Sequence, residues 1–210
     1  MGDHAGGLPM TRRYSRAELD AGRETRLPDL VAPNLRVLLV GINPGLSSAV
    51  AGRHFATPGN RLWPALHRSG FTPRLLTPEE DEELLGLGIG ITSLVARPTV
   101  RASELTRDEY VEGGRRLRET VLALRPQWLA PLGVTGYRAA FGVRDAAVGL
   151  REESVGATRI WILPNPSGLN AHYPPLALAR EFARLRVAAG MPDRSGVLSP
   201  GGAAAGRERS

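Results

Sequence analysis

Residues 35–42 read LRVLLVGI and run straight into Asn43-Pro44-Gly45. A short apolar run of this kind, ended abruptly by a turn sequence, is what a strand buried on both faces looks like. The rest of the chain repeats the theme. Residues 89–95, 128–132 and 160–163 are further apolar runs of strand length, giving at least four strands. Helical patterns lie between and after them. Residues 58–70 place Leu62, Trp63, Leu66 and His67 on one face and end at Gly70. Thr106 with Glu109 three residues on forms a capping box that opens a helix running to Leu124, just before Pro126. Residues 135–141 and 174–189 supply two more helices, the last rich in Ala, Leu and Arg.

Strands alternating with helices predict a three-layer α/β/α domain around a central, mainly parallel sheet of four or five strands. The expected domain spans residues 31–190. Residues 1–30 carry scattered charge, Gly and Pro without periodicity, and residues 191–210 are rich in Gly, Ala, Ser, Pro and Arg, so both are expected to be flexible tails. No internal repeat is visible.

Composition narrows the chemistry. The chain has 210 residues, 42% hydrophobic and 23% charged, the balance of an ordinary globular protein. No apolar run approaches the ~20 residues of a membrane span, and residues 1–10 lack the apolar core of a secretory signal, so a cytoplasmic location is expected. Cysteine is absent, which excludes disulfides, thiolate catalysis, Cys-ligated zinc and iron–sulfur clusters. All 27 basic residues are arginine, so a lysine Schiff base is excluded as well. The four histidines (His4, His54, His67, His172) are scattered, so no metal site and no cofactor is expected. A net charge of +6 suits a polyanionic partner such as nucleic acid, although many proteins without one are basic.

In a parallel sheet, ligands bind beyond the carboxyl ends of the strands. Two strand-following loops therefore draw attention. The first, 41–48 (GINPGLSS), has two glycines and a proline that make a sharp turn open to close approach, and Asn43 offers a side-chain amide for water or substrate. Read alone, Asn-Pro-Gly is equally a structural turn. The second, 163–170 (LPNPSGLN), is stiffened by two prolines and carries Leu169 among small and polar neighbours. An exposed leucine on a rigid loop is a wedge for a base stack, and the residues alone equally allow a leucine folded back onto the core.

The first loop and its continuation, GINPGLSSAVAGRHFATPGNRLWPALHRSGF, resemble the active-site segment of the mismatch-specific uracil-DNA glycosylases, a family that includes the thymine-DNA glycosylases. The segment WILPNPSGLNAHY resembles that family's second motif, and ITSLVARPTV and GGRRL match between them. The resemblance runs over residues 35–185 and implies an enzyme that flips a base out of duplex DNA and hydrolyses its N-glycosidic bond.

By that resemblance Asn43 positions the attacking water and Phe55 stacks on the flipped base. Backbone amides near Ile42 and Phe55 bond to the uracil carbonyls, with Gly45 in the same base-binding turn. Ser48 lies near the C5 edge of the base. Asn60 matches a further motif position, where helix capping is an equal reading. Asn165 stands where faster uracil glycosylases carry histidine, and with Pro166 and Ser167 forms the second motif, Ser167 meeting a phosphate. Gly168, Leu169 and Asn170 match the wedge that bonds to the orphaned guanine, which implies a preference for uracil opposite G. Asn170-Ala171-His172 lacks the arginine that bacterial relatives carry in the wedge, a departure that bears on opposite-base preference. Arg97 to Arg101 reads either as a phosphate contact or as a solvated basic face.

The implied partner is double-stranded DNA with a G·U or related mismatch, such as one holding ethenocytosine, bound by a monomer. Two rival readings within DNA repair are a glycosylase acting on single-stranded uracil or hypoxanthine, and a mismatch binder that has lost catalysis. A nucleotide-binding α/β protein is a weaker reading, because GINPG matches neither GxGxxG nor GxxxxGK[ST].

Overall fold

A computed structural model of the chain describes residues 14–195, so the expected tails fall outside the description over 1–13 and 196–210. In chain order the elements are α1 (Arg16–Ala21), β1 (Val37–Gly41), α2 (Leu46–Ala51), α3 (Leu62–Arg68), α4 (Glu83–Gly86), β2 (Ile89–Ser93), α5 (Arg107–Leu124), β3 (Trp128–Pro131), α6 (Val134–Phe141), β4 (Gly149–Val155), β5 (Thr158–Ile162) and α7 (Pro175–Ala188). Every residue of β1 is buried, as its apolar run requires. Alternate side chains leave on opposite faces. Val37 and Leu39 join one core with Leu62 and Leu66 of α3 and Leu178 and Phe182 of α7. Leu38 and Val40 join a second core with Leu117 and Val121 of α5 and Tyr137 of α6. Two cores on the two faces of one sheet make the predicted three-layer architecture.

The five strands lie in the order β2-β1-β3-β5-β4. β1 pairs parallel with β2 and β3, and β3 pairs parallel with β5. Only β4 runs antiparallel, as a hairpin with β5. The chain leaves β1 for β2 on one side and then crosses to β3 on the other. The strand order therefore reverses at β1, and the crevice at its carboxyl end is the expected ligand position.

Helix α5 begins where its capping box places it: the Thr106 side chain accepts from the Glu109 amide, and the Glu109 carboxylate takes the Thr106 amide in return. Three elements depart from the sequence expectation. β4 is a fifth strand with no apolar alternation; Glu152, Glu153 and Ser154 are exposed, as suits a sheet edge that must not recruit another strand. α2 occupies residues expected to be loop. Residues 14–30, expected to be tail, carry α1 with a Ser15–Glu18 capping box, and Leu30 bridges to Ile91 beside β2. No residue of α1 is buried, so its sequence has no apolar stripe to read. It is seated through Gly22, where a Cβ would come 2.6 Å from Val50 and 3.2 Å from the Leu46 carbonyl.

Candidate active site

The loops after β1 and β5 meet beyond the carboxyl edge of the sheet because the strand between them ends in a glycine turn. The Gly133 amide donates to the Leu163 carbonyl. Its φ is +124°, and a Cβ there would press 3.4 Å from Asn165 and 3.8 Å from Ile42. Together the two loops enclose a cleft of about 580 Å³, in the size range of pockets that enclose small organic ligands. Every site residue named from the sequence lines it except Asn170, which lies in the same loop behind Leu169.

Asn43 is oriented by contacts distant in sequence. Its Nδ2 donates to the Thr99 hydroxyl at 2.7 Å and the Arg97 carbonyl at 2.9 Å, with the Pro44 carbonyl at 3.3 Å. Thr99 spends its own proton on the Arg101 carbonyl, so toward Asn43 it can only accept. The opposite amide orientation would set Oδ1 against oxygens with no proton to offer. The nitrogen is therefore fixed on the protein side, and Oδ1 accepts no hydrogen bond from the described residues. It remains a neutral acceptor, able to hold a water but not to take its proton.

The support for this orientation traces back to the α5 capping box. Glu109, beside its Thr106 bonds, binds Arg97 through two contacts of 2.6 and 3.0 Å, which places the Arg97 carbonyl under Asn43. The Arg97 hydrogen bond foremost, and the Thr106 amide after it, hold the Glu109 carboxyl at a pKa of about 2. Arg97 is thus committed to Glu109, which favours a structural role for its charge over a phosphate contact.

Phe55 stands in the left-handed region with φ +53°, a conformation that costs a bulky residue on the order of 1–3 kcal/mol. Ser48 on α2 holds the segment in place with two oxygens: its hydroxyl accepts the Ala56 amide at 3.0 Å and its carbonyl the Arg53 amide at 3.1 Å. Ser48 was expected to lie near a base edge; it lines the cleft and also carries this support. Two glycines are needed beneath the segment. A Cβ on Gly41 would stand 3.1 Å from the Phe55 ring, and one on Gly45 would stand 2.8 Å from the Thr57 hydroxyl. The amides of Ile42 and Phe55 make no hydrogen bond among the described residues, which leaves two donors at the cleft. His54, also in its wall, places a ring nitrogen 3.0 Å from the Pro28 carbonyl, and burial lowers its pKa below the ordinary value.

The second loop is folded on its own amides. Asn165 Oδ1 accepts from the Ser167 amide, Asn170 Nδ2 donates to the Asn165 carbonyl, and Asn170 Oδ1 accepts from the His172 amide. Both asparagine side chains are thereby engaged within the loop. The Asn170 side chain is consequently not free to meet a base, whereas the Gly168 and Leu169 carbonyls accept no hydrogen bond among the described residues. Leu169 is 94% exposed, the most exposed large apolar side chain described, so it is not folded onto the core. Asn60, one residue before the N-cap Arg61, accepts the Leu62 amide at 2.9 Å, so it satisfies the first amide of α3 without being the N-cap itself.

Thr99 and Arg61, whose guanidinium reaches three carbonyls over residues 167–173, are the site residues that sequence reasoning missed, and Gly41, read as a turn glycine, also seats Phe55. No local pattern marks Thr99 as a partner of Asn43 or Arg61 as a partner of the second loop, because these pairs lie 56 or more residues apart. Among the described residues, no group of three His, Asp or Glu side chains could hold a metal ion.

An α/β domain with one aromatic-walled cleft at its switch point, a fixed neutral acceptor inside and an exposed leucine at the rim is a base-handling protein in its architecture. The family model of the uracil DNA glycosylase superfamily matches residues 28–185, and the chain belongs to that superfamily. It is accordingly a DNA glycosylase, a hydrolase whose substrate is DNA and whose chemistry serves base-excision repair.

Proposed function

We propose that the protein is a monofunctional glycosylase that flips uracil out of G·U mismatches and hydrolyses its N-glycosidic bond. The observation that carries this reading is Asn43, whose amide nitrogen is locked by Thr99 and Arg97 so that Oδ1 alone addresses the cleft. A water held there has its lone pair available for C1′ of a flipped nucleotide. The C1′–N1 bond breaks with its electron pair leaving on the base, the water oxygen bonds to C1′, and the water's proton ends on the departed uracil.

Asparagine supplies no base to deprotonate the water, so catalysis rests on leaving-group and sugar stabilisation. The free amides of Ile42 and Phe55 are donors suited to the uracil oxygens as they gain charge. Phe55 offers a stacking face, worth about 1–3 kcal/mol per base. Flanking phosphates offset the positive character that develops on the sugar. Without lysine the chain has no side-chain amine to form a Schiff base, which supports a monofunctional reaction that leaves an abasic site in an uncut strand.

Guanine preference is supported by the second loop. The Watson–Crick edge of guanine presents N–H donors, and the unengaged Gly168 and Leu169 carbonyls are acceptors beside the wedge. Adenine offers a different donor and acceptor pattern on that edge.

The test is single-turnover cleavage of labelled duplexes carrying G·U, A·U, G·T or G·ethenocytosine, with and without alkali. G·U cleaved well above A·U, and only after alkali, is the expected result. Equal rates on G·U and A·U would remove guanine readout. Asn43→Ala is expected to lose activity by orders of magnitude while still binding DNA; an undiminished rate would refute the water-positioning role.

A further inference from the structure

Arg61 ends the turn before α3, outside both loops discussed above, yet it contacts the second loop at four carbonyl groups. Its backbone amide donates to Pro166 O at 2.9 Å. Its Nη2 donates to the carbonyls of Ser167 and Asn170, the latter at 2.8 Å, and its Nη1 donates to Tyr173 O at 2.9 Å. These carbonyls flank Leu169 on both sides. The loop's own amides reach the Ser167 and Asn165 carbonyls only, from Asn170, and a planar guanidinium with several diverging N–H groups is the side chain that spans carbonyls this far apart. Among the described residues no carboxylate pairs with Arg61, and its Nε is buried without a hydrogen-bond partner. The charge is directed at the loop rather than at an acid.

A second contact seats the loop against the same segment. Gly168 packs so closely that a Cβ on it would stand 2.6 Å from the Gly59 carbonyl, two residues before Arg61. Leu169 thus projects from a loop gripped at its base by the 59–61 turn.

We propose that Arg61 is the positioning residue of the wedge: its guanidinium holds the 167–173 loop in the shape that drives Leu169 into duplex DNA. This rests on Leu169 being the wedge. Lysine keeps the charge but concentrates its donors at one point, so it cannot bridge carbonyls on both sides of Leu169.

The experiment measures binding and single-turnover cleavage on a G·U duplex and on single-stranded uracil DNA. It uses the full chain, Leu169→Ala, Arg61→Lys and the double variant, with melting temperature as a check on folding. Single-stranded DNA leaves no gap in a base stack, so it does not need the wedge. Arg61→Lys is expected to weaken duplex binding on the order of tenfold, the factor that goes with one lost charge-assisted hydrogen bond, and single-strand binding less than about twofold. In the double variant the two losses are expected not to multiply, because each acts through the same loop. Gly168→Ala, which displaces the loop and leaves the Arg61 charge intact, is expected to show the same duplex-selective loss and serves if Arg61→Lys fails to fold.

Equal losses on both substrates, or losses that multiply in the double variant, would overturn the proposal. So would a duplex-selective defect in Leu169→Ala with none in Arg61→Lys and Gly168→Ala, which would sink the clamp alone. Duplex binding unchanged in Leu169→Ala would sink the wedge reading, and the clamp with it.

Discussion

Replacing Thr99 by valine swaps the hydroxyl for a methyl group and removes two hydrogen bonds, one accepted from Asn43 Nδ2 and one donated to the Arg101 carbonyl. The residue is buried, 2% exposed, at the wall of the cleft, so water has little access to the hydroxyl itself. Asn43 Nδ2 has two protons and three nearby oxygens, of which Thr99 Oγ1 at 2.7 Å is the nearest and Pro44 O at 3.3 Å the farthest. In Thr99→Val one proton keeps the Arg97 carbonyl and the other is left with the long contact to Pro44. A neutral hydrogen bond contributes about 1 kcal/mol net, and a buried donor left wholly unpaired costs about 1–3 kcal/mol. The Pro44 carbonyl retains part of the interaction, so the lower end applies. At about 1.4 kcal/mol per factor of ten, the single-turnover rate on a G·U duplex is expected to fall roughly five- to tenfold. Thr99 makes no wedge contact, so binding of an uncleavable duplex analogue should be unchanged. Thr99→Ser restores the acceptor and is expected to recover the rate to within about twofold. A Thr99→Val rate within twofold of the wild type, at unchanged melting temperature, would refute the claim that this hydroxyl orients the amide.

Three further outcomes are expected. Gly41→Ala sets a methyl 3.1 Å from the Phe55 ring, so the ring must shift and G·U duplex should bind several-fold more weakly with little change in melting; unchanged binding would show that Phe55 does not need its seat. Gly114→Ala on α5 would bring a Cβ 2.5 Å from the Ala140 carbonyl of α6, and overpacking against backbone should destabilise the protein by about 1–3 kcal/mol in a denaturant titration. His54 has its pKa lowered by burial, so the unfolded chain takes up its proton first, near pH 6.5, and stability falls as pH drops through and below that value. His54→Gln should therefore lose less stability than the wild type between pH 7.5 and pH 5, and an equal or larger loss would argue against a buried neutral imidazole.

What the sequence determined by itself was whatever depends on near neighbours. Residues 35–42 are apolar without break, and a run with no polar side chain to expose has no stable place except between two layers. The Thr106–Glu109 box satisfied the first amides of α5 within one turn, and it fixed that helix start to the residue. The loops after β1 and β5 were legible as the site because each follows such a strand and is rich in Gly, Pro and Asn. The edge strand β4 and the helix α1 were not legible, because neither buries an apolar stripe and an edge or a surface turn tolerates almost any polar sequence.

The directions inside the site were decided only by the tertiary structure. Which atom of Asn43 addresses the cleft depends on Thr99, 56 residues on, and the posture of the Leu169 loop on Arg61, 106 to 112 residues before its partners. Such pairs leave no periodicity or spacing in the chain. They exist because the strand order β2-β1-β3-β5-β4 brings those loops to one edge of the sheet, and hydrogen-bond direction is settled only once both partners are there.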